Sequence, residues 1–266
     1  MRVALGIEYD GTGYVGWQSQ KSGTGVQKLV EAATSKVADE PIKVICAGRT
    51  DSGVHATAQV VHFDTGAARS DRGWLLGVNS NLPDDINATW VTLVDDDFHA
   101  RFAAVSRTYR YLIFNQPVRS SLLRHRAWWV YDSLDEQAMQ QGADLLLGKH
   151  DFSAFRAAGC QASTPVREIT RLSVERHDNW LSIVVTANAF LQHMVRNITG
   201  TLVAIGKGDE KPDWARTVLG SANRKKGGIA APAHGLTLID VAYPDRFGVP
   251  PGNRDSSDIN VYDSHL

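Results

Sequence analysis

The chain has 266 residues, 43% of them hydrophobic, which is enough for a substantial core in one large or two ordinary domains. Its 28 basic residues are balanced by 29 acidic ones, which excludes nucleic-acid binding through bulk positive charge, so any such footprint is a local patch. Cys46 and Cys160 stand far apart without metal-type spacing, which excludes a disulfide framework and fits a reducing, cytoplasmic setting; no leader-like segment opens the chain and no apolar run approaches a bilayer span, so no membrane partner is expected.

In chain order, Val3, Leu5, Ile7 and Tyr9 alternate with smaller or polar residues and read as a half-buried strand. Val26, Leu29, Val30, Ala33 and Val37 recur at helical spacing, which predicts an amphipathic helix over 25–38. Strands follow at 42–47 and 57–64. Ser70 caps a short helix through Trp74, Leu75 and Val78 that ends near Pro83, and 86–94 is a further strand. The second half repeats this order. A strand over 108–115 and an added one at 127–131 precede a helix over 134–147, capped by Ser133 with Glu136 completing a capping box and ended by Gly148. Strands at 169–175 and 181–187 form a hairpin turned at His177, Asp178 and Asn179. A buried helix over 190–205, a short one over 212–219 and a strand at 236–241 close the pattern.

Two β-α-β-β-α-β series predict an α+β fold of two ferredoxin/RRM-like units. They are expected to form a mixed, mainly antiparallel sheet with helices on one face and a central active-site cleft. The expected division is 1–104 for the N-terminal half, 105–247 for the C-terminal half and 248–266 for a flexible tail rich in Asp, Ser, Asn, Gly and Pro.

Gly11, Gly13 and Gly16 match the spacing of a dinucleotide-binding loop, but no helix opens at those glycines, so the donors that would meet a pyrophosphate are missing. A glycine-rich loop carrying Tyr14 and Trp17 fits a nucleic-acid contact better, with Trp17 packed inward as the other possibility. The His residues are scattered, without metal-ligand spacing.

The run from Cys46 to Ala56 is the most informative. Between two strand-like segments it gathers Arg49, Thr50, Asp51 and His55 in a turn bracketed by Gly48 and Gly53. Spacing alone fits an Asx-type turn as well as a reactive site. As a site, Asp51 has no second carboxylate near it in sequence, so the paired-acid pattern of glycosidases is not evident. One ionised carboxylate still suits nucleoside chemistry: breaking the N1–C1′ bond of uridine develops positive charge on the sugar, which a carboxylate stabilises or captures. A nearby guanidinium would keep it ionised. Arg196 is an awkward charge among Met194, Val195 and Ile198; it either pairs with Asp51, binds another acid or faces solvent.

The segment Gly48 to Ala56 followed by Gln59 to Phe63 resembles the catalytic loop of the tRNA pseudouridine synthases that modify positions 38 to 40 of the anticodon stem-loop. Segments 5–18, 76–86, 98–102, 106–113, 151–156, 188–200 and 233–244 are similar to that family in the same order, so the resemblance spans about residues 1–247. It implies an enzyme that detaches, rotates and reattaches uracil, with Asp51 as nucleophile, Tyr109 stacking on the target base and serving proton transfer, and Arg196 pairing with Asp51. It implies substrate contacts for Arg49, which displaces the target base from its stack, and for Val54, His55, Arg107 and Tyr109. It also implies no metal or organic cofactor, tRNA as partner and a homodimer holding one tRNA. Extrusion of the nucleotide is what such chemistry inside a stem requires. Basic clusters at Arg101, Arg107, Arg110, Arg119, Arg124 and Arg126 and at Arg224, Lys225 and Lys226 either track phosphates or are solvated faces. The rival reading is a non-enzymatic RNA-binding protein of two RRM-like units, against which stands the missing RNP1 signature. A hydrolase using Asp51 is the other.

Overall fold

The structure is a computed structural model describing residues 1–252, so most of the expected tail, from 253 on, lies outside the described residues. These residues form two compact units. One takes Met1–Arg107 and the chain from Thr237 onward; the other takes Thr108–Leu236.

In the first unit β1 (Arg2–Tyr9) runs between β3 (His55–Asp64) and β4 (Ile86–Val94), antiparallel to both. The far edge of β3 is shared. β10 (Leu236–Ala242) lies parallel to it at His55 and Ala56, and β2 (Ile45–Cys46) lies antiparallel to it at Val61 and His62. Helices α1 (Val26–Ala38) and α2 (Asp71–Asn79) pack on each other, and α2 packs on β4. Ser70 caps α2 by accepting from the Gly73 N–H, as its sequence predicts.

Two expectations change here. Strand β1 is buried on both faces from Val3 to Ile7 rather than half-solvated, with Glu8 exposed beyond, and at Gly6 the Trp90 indole lies where a Cβ would be. The strand expected over 42–47 shrinks to Ile45–Cys46. Side chains of α1 take the backbone amides instead: Ser35 accepts from Ile42 at 2.9 Å and Glu31 from Val44 at 3.2 Å.

The second unit has the sheet order β5-β9-β8-β7, where β5 is Ser106–Asn115, β7 Gly148–Asp151, β8 Val166–His177 and β9 Trp180–Ala187. The short β6 (Trp128–Val130) lies parallel to β5. Helix α3 (Glu136–Asp144) packs on β8 and on α4 (Met194–Gly206), with α5 (Trp214–Ser221) following. A mixed α+β architecture with mainly antiparallel pairing is thus present in both units. The β8–β9 hairpin turns at Asp178, whose φ of 50° is the left-handed conformation that a two-residue hairpin turn needs.

Three boundaries move for local reasons. Asp135, not Ser133, caps α3, accepting from Gln137 and Ala138 at 2.9 and 3.0 Å, while Glu136 ion-pairs with Arg176 at 2.9 Å instead of closing a capping box. Helix α3 stops at Asp144, and Gly148, with φ of 93°, opens β7. Helix α4 begins at Met194 rather than residue 190 because His193 adopts φ of 62°, which no right-handed helix accommodates.

One turn of the first unit is unusually well fastened. Arg2 donates to the carbonyls of Asp96 and Phe98, Tyr243 donates to Ala100 O at 2.6 Å, and His62 Nδ1 accepts from the Ala100 N–H at 3.1 Å. That acceptor role requires a neutral His62. Burial first, then the neighbouring His99 and Arg2, lower its pKa from 6.5 to about 4. Between those values the unfolded chain takes up a proton that the folded one refuses, so stability falls as pH drops from 6.5 to about 4. The group contributes at most about 1.4 kcal/mol per pH unit. Urea unfolding from pH 7 to pH 5 should therefore show a shallower loss of stability in His62→Gln than in the wild type; equal slopes would count against the buried neutral imidazole.

Candidate active site

Residues 47–54 form the connection from β2 to β3, and side chains from three segments, with the backbone of a fourth, immobilise it. Gln59, fully buried on β3, donates to Gly48 O at 2.7 Å and accepts from the Gly48 N–H at 3.4 Å, closing a two-way amide bond. The Ala47 N–H donates to Val60 O, and Arg107 Nη2 donates to Ala47 O at 3.0 Å. Thr50 Oγ1 and the Tyr9 hydroxyl share a 2.8 Å hydrogen bond, and the Trp17 N–H donates to Thr50 O. Downstream, the Val54 N–H donates to Asp51 O at 3.1 Å and the Gly53 N–H to Tyr14 O at 3.3 Å, with Gly53 at φ of 77°. Gly16 makes the crossing possible: its φ is 98°, and a Cβ there would lie 2.5 Å from Thr50 O.

The loop therefore presents its side chains from a fixed backbone. Asp51 is half-buried and Arg49 is exposed, while Val54 and His55 are buried. His55 points away from solvent: its Nδ1 accepts from the Gly11 N–H at 3.0 Å and lies 3.1 Å from Asp10 Oδ1. Arg107 is buried as well, and its guanidinium donates to the carbonyls of Ala47, Arg101 and Ala104. Trp17 is buried against Tyr9 with ring centres 6.0 Å apart, so the expected stacking role for Trp17 gives way to core packing. Tyr14 reaches outward to Asp85, to which its hydroxyl donates at 2.5 Å; burial and that carboxylate raise its pKa.

In the second unit Tyr109 and Tyr111 share one face of β5, by the two-residue period of a strand. Tyr109 is 8% exposed and meets Phe190 edge to face, ring centres 5.1 Å apart. Tyr111 is buried and donates to Pro232 O at 2.8 Å; burial raises its phenol pKa, and the charge of Arg196 pulls it partly back. Arg196 is on the first turn of α4, half-buried, and its Nε donates to Ala231 O at 2.7 Å while the Ala231 N–H donates to Arg196 O at 3.0 Å. The Nε bond orients the guanidinium, and the backbone bond ties Ala231 to α4. They exist because the strap 228–232 lies directly on α4 over Gly200, where a Cβ would meet Ile229 O at 1.6 Å.

The first unit thus carries Arg49, Asp51, Val54, His55 and Arg107, and the second carries Tyr109 and Arg196. Gln59, Phe190 and Ala231 support the site without a sequence signal of that role; Phe190 lies ahead of α4 rather than within the helix expected over 190–205. Among the described residues no three His, Cys, Asp or Glu side chains gather as a metal site would require.

A family model described as tRNA pseudouridine synthase matches residues 6–103 and 143–244. The chain is 53% identical over 249 residues to a tRNA pseudouridine synthase A of Coxiella burnetii, covering 94% of this chain and 95% of that protein. It is 53% identical over 250 residues to the protein of that name from Colwellia psychrerythraea, covering 94% and 96%, and 50% identical to that of Vibrio campbellii, covering 94% and 95%.

Gly200 offers a direct check on the strap. A Gly→Ala change inside a helix ordinarily gains about 1 kcal/mol. Here the added methyl collides with backbone, so Gly200→Ala should lower stability by about 1–3 kcal/mol in denaturant unfolding. Gly13→Ala, where no atom lies within 4 Å, should stay within about 0.5 kcal/mol of wild type. A stabilised Gly200→Ala would mean that the strap is not seated on α4.

Proposed function

Since the chain belongs to the tRNA pseudouridine synthase family, and so is an enzyme that isomerises uridine in tRNA, we propose that it acts on positions 38, 39 and 40 of the anticodon stem-loop with Asp51 as its nucleophile. The observation that carries this reading is the immobilised loop at Asp51, a single half-buried carboxylate on a backbone held by Tyr9, Gln59, Arg107 and the 14–17 segment. A rigid carboxylate suits a step in which charge develops at one sugar carbon, because no reorganisation is needed as the charge appears.

The chemistry follows from bond changes. The uridine N1–C1′ bond breaks with its electron pair on N1, and Asp51 captures the positive sugar carbon as the base departs. Uracil turns, C5 bonds to C1′ as the Asp51–C1′ bond breaks and the carboxylate is regenerated, and loss of the C5 proton is balanced by protonation of N1. Arg196 is the cation that keeps Asp51 ionised, since a guanidinium favours the charged carboxylate. Tyr109, with its ring braced by Phe190, stacks on the uracil and serves the transfer of the C5 proton. Arg49, exposed at the start of the loop, takes the place of the extruded base; Val54, His55 and Arg107, all buried, serve the substrate indirectly as backing for the loop. The enzyme works in the cytoplasm as a homodimer that holds one tRNA. No described helix is long and apolar enough to cross a membrane.

Tritium release from an unmodified tRNA transcript labelled at uridine C5 tests this reading. Asp51→Ala should reduce release by more than about a thousandfold, as loss of a nucleophile does. Binding without release by the wild type would favour an RNA-binding module, and free uracil would favour a hydrolase. Arg196→Ala should lower kcat by about a hundredfold with tRNA affinity little changed, the pattern of a group acting on transition-state charge. Equal losses in turnover and affinity would remove its electrostatic role.

A further inference from the structure

Phe102 is the most exposed large hydrophobic side chain among the described residues, at 76%. It does not sit on a loose loop. It ends the turn whose carbonyls at 96, 98 and 100 are held by Arg2 and Tyr243, and whose carbonyl at 101 accepts from Arg107 at 2.6 Å. The backbone amides of Arg101 and Phe102 both donate to His99 Nδ1 at 3.2 Å. The His99 ring lies 4.3 Å from the Phe102 ring at 30°, and the Arg101 guanidinium carbon stands 5.6 Å from the Phe102 ring centre. Exposing a phenyl ring costs free energy, and fixing it on a rigid turn does not recover any of it unless something stacks there.

The position of this ring is specific. The same Arg107 nitrogen that holds Arg101 O also holds Ala47 O at the entry to the Asp51 loop. A flat apolar ring with the Arg101 guanidinium beside it matches an unpaired nucleobase with its phosphates, since every base offers a π-face and the backbone is anionic.

We propose that Phe102, backed by His99 and Arg101, is a stacking platform for an unpaired base of the RNA substrate, locked by Arg107 to the loop that carries Asp51. The inference rests on the tRNA reading above and adds to it a binding residue outside the reacting groups.

Binding of unmodified tRNA transcript to the full chain tests it. Phe102→Ala should weaken affinity about five- to a hundredfold, as loss of one stacked base does. Phe102→Trp should stay within about threefold of wild type, and Phe102→Leu, which keeps apolar area but loses the π-face, should behave as the alanine variant. The dependence of affinity on salt should keep its slope in all three, whereas Arg101→Ala should lower that slope by about one. Affinity of Phe102→Ala within about twofold of wild type would overturn the inference, since stacking is worth more than that. So would a leucine variant that binds like wild type, or a Phe102→Ala protein whose sedimentation shows that it has lost a partner copy. Tritium release by the wild type separates the two failures. No release by the wild type removes the functional reading; release with normal binding by Phe102→Ala removes the platform alone.

Discussion

Much of the first unit depends on one buried guanidinium. Arg107 donates to carbonyls at Ala47, Arg101 and Ala104, which belong to the entry of the Asp51 loop and to the turn after β4. The Ala47 carbonyl is buried and needs a donor, and the same guanidinium reaches the partly buried carbonyls of Arg101 and Ala104. A guanidinium has several N–H groups in a fixed plane, so it sets the spacing between the segments as well as satisfying them. Lysine has the charge but not the plane, and it would leave at least part of that geometry undefined.

In the second unit the corresponding constraint is steric. Helix α4 approaches the strap 228–232 at Gly200, and Gly228 in turn has Gly200 O where its Cβ would be. Two missing side chains let two backbones touch, and that contact brings Ala231 into hydrogen-bond range of Arg196 at both its backbone oxygen and its Nε. Orientation of a flexible cation is thus achieved by backbone, which has no rotamers to lose.

The sequence made the order of elements legible where local signals are strong: β4 and α2 fall where the apolar run 86–94 and the Ser70 cap put them. It also marked Arg49, Asp51, Tyr109 and Arg196 as the residues of interest. What it hid were features decided by distant partners. The amides of Ile42 and Val44 go to α1 rather than to a strand, Trp90 covers the face of β1 that looked open, and Asp135 displaces Ser133 as a cap by proximity. The supports of the site were equally silent. Gln59 and Thr50 are common polar residues in their own segments, and only the fold brings them to Gly48 and Tyr9. Trp17 carried the wrong hint, since its ring fits a base and a core equally well.

Strand β10, seven residues near the end of the chain, lies parallel to β3 at His55 and Ala56, directly after the Asp51 loop. Parallel neighbours cannot be joined by a tight turn, and here the connection includes the whole of the second unit. The first residues of β3, directly after the Asp51 loop, thus gain their parallel neighbour only once the second unit has been made, and without β10 that stretch would present bare backbone donors and acceptors.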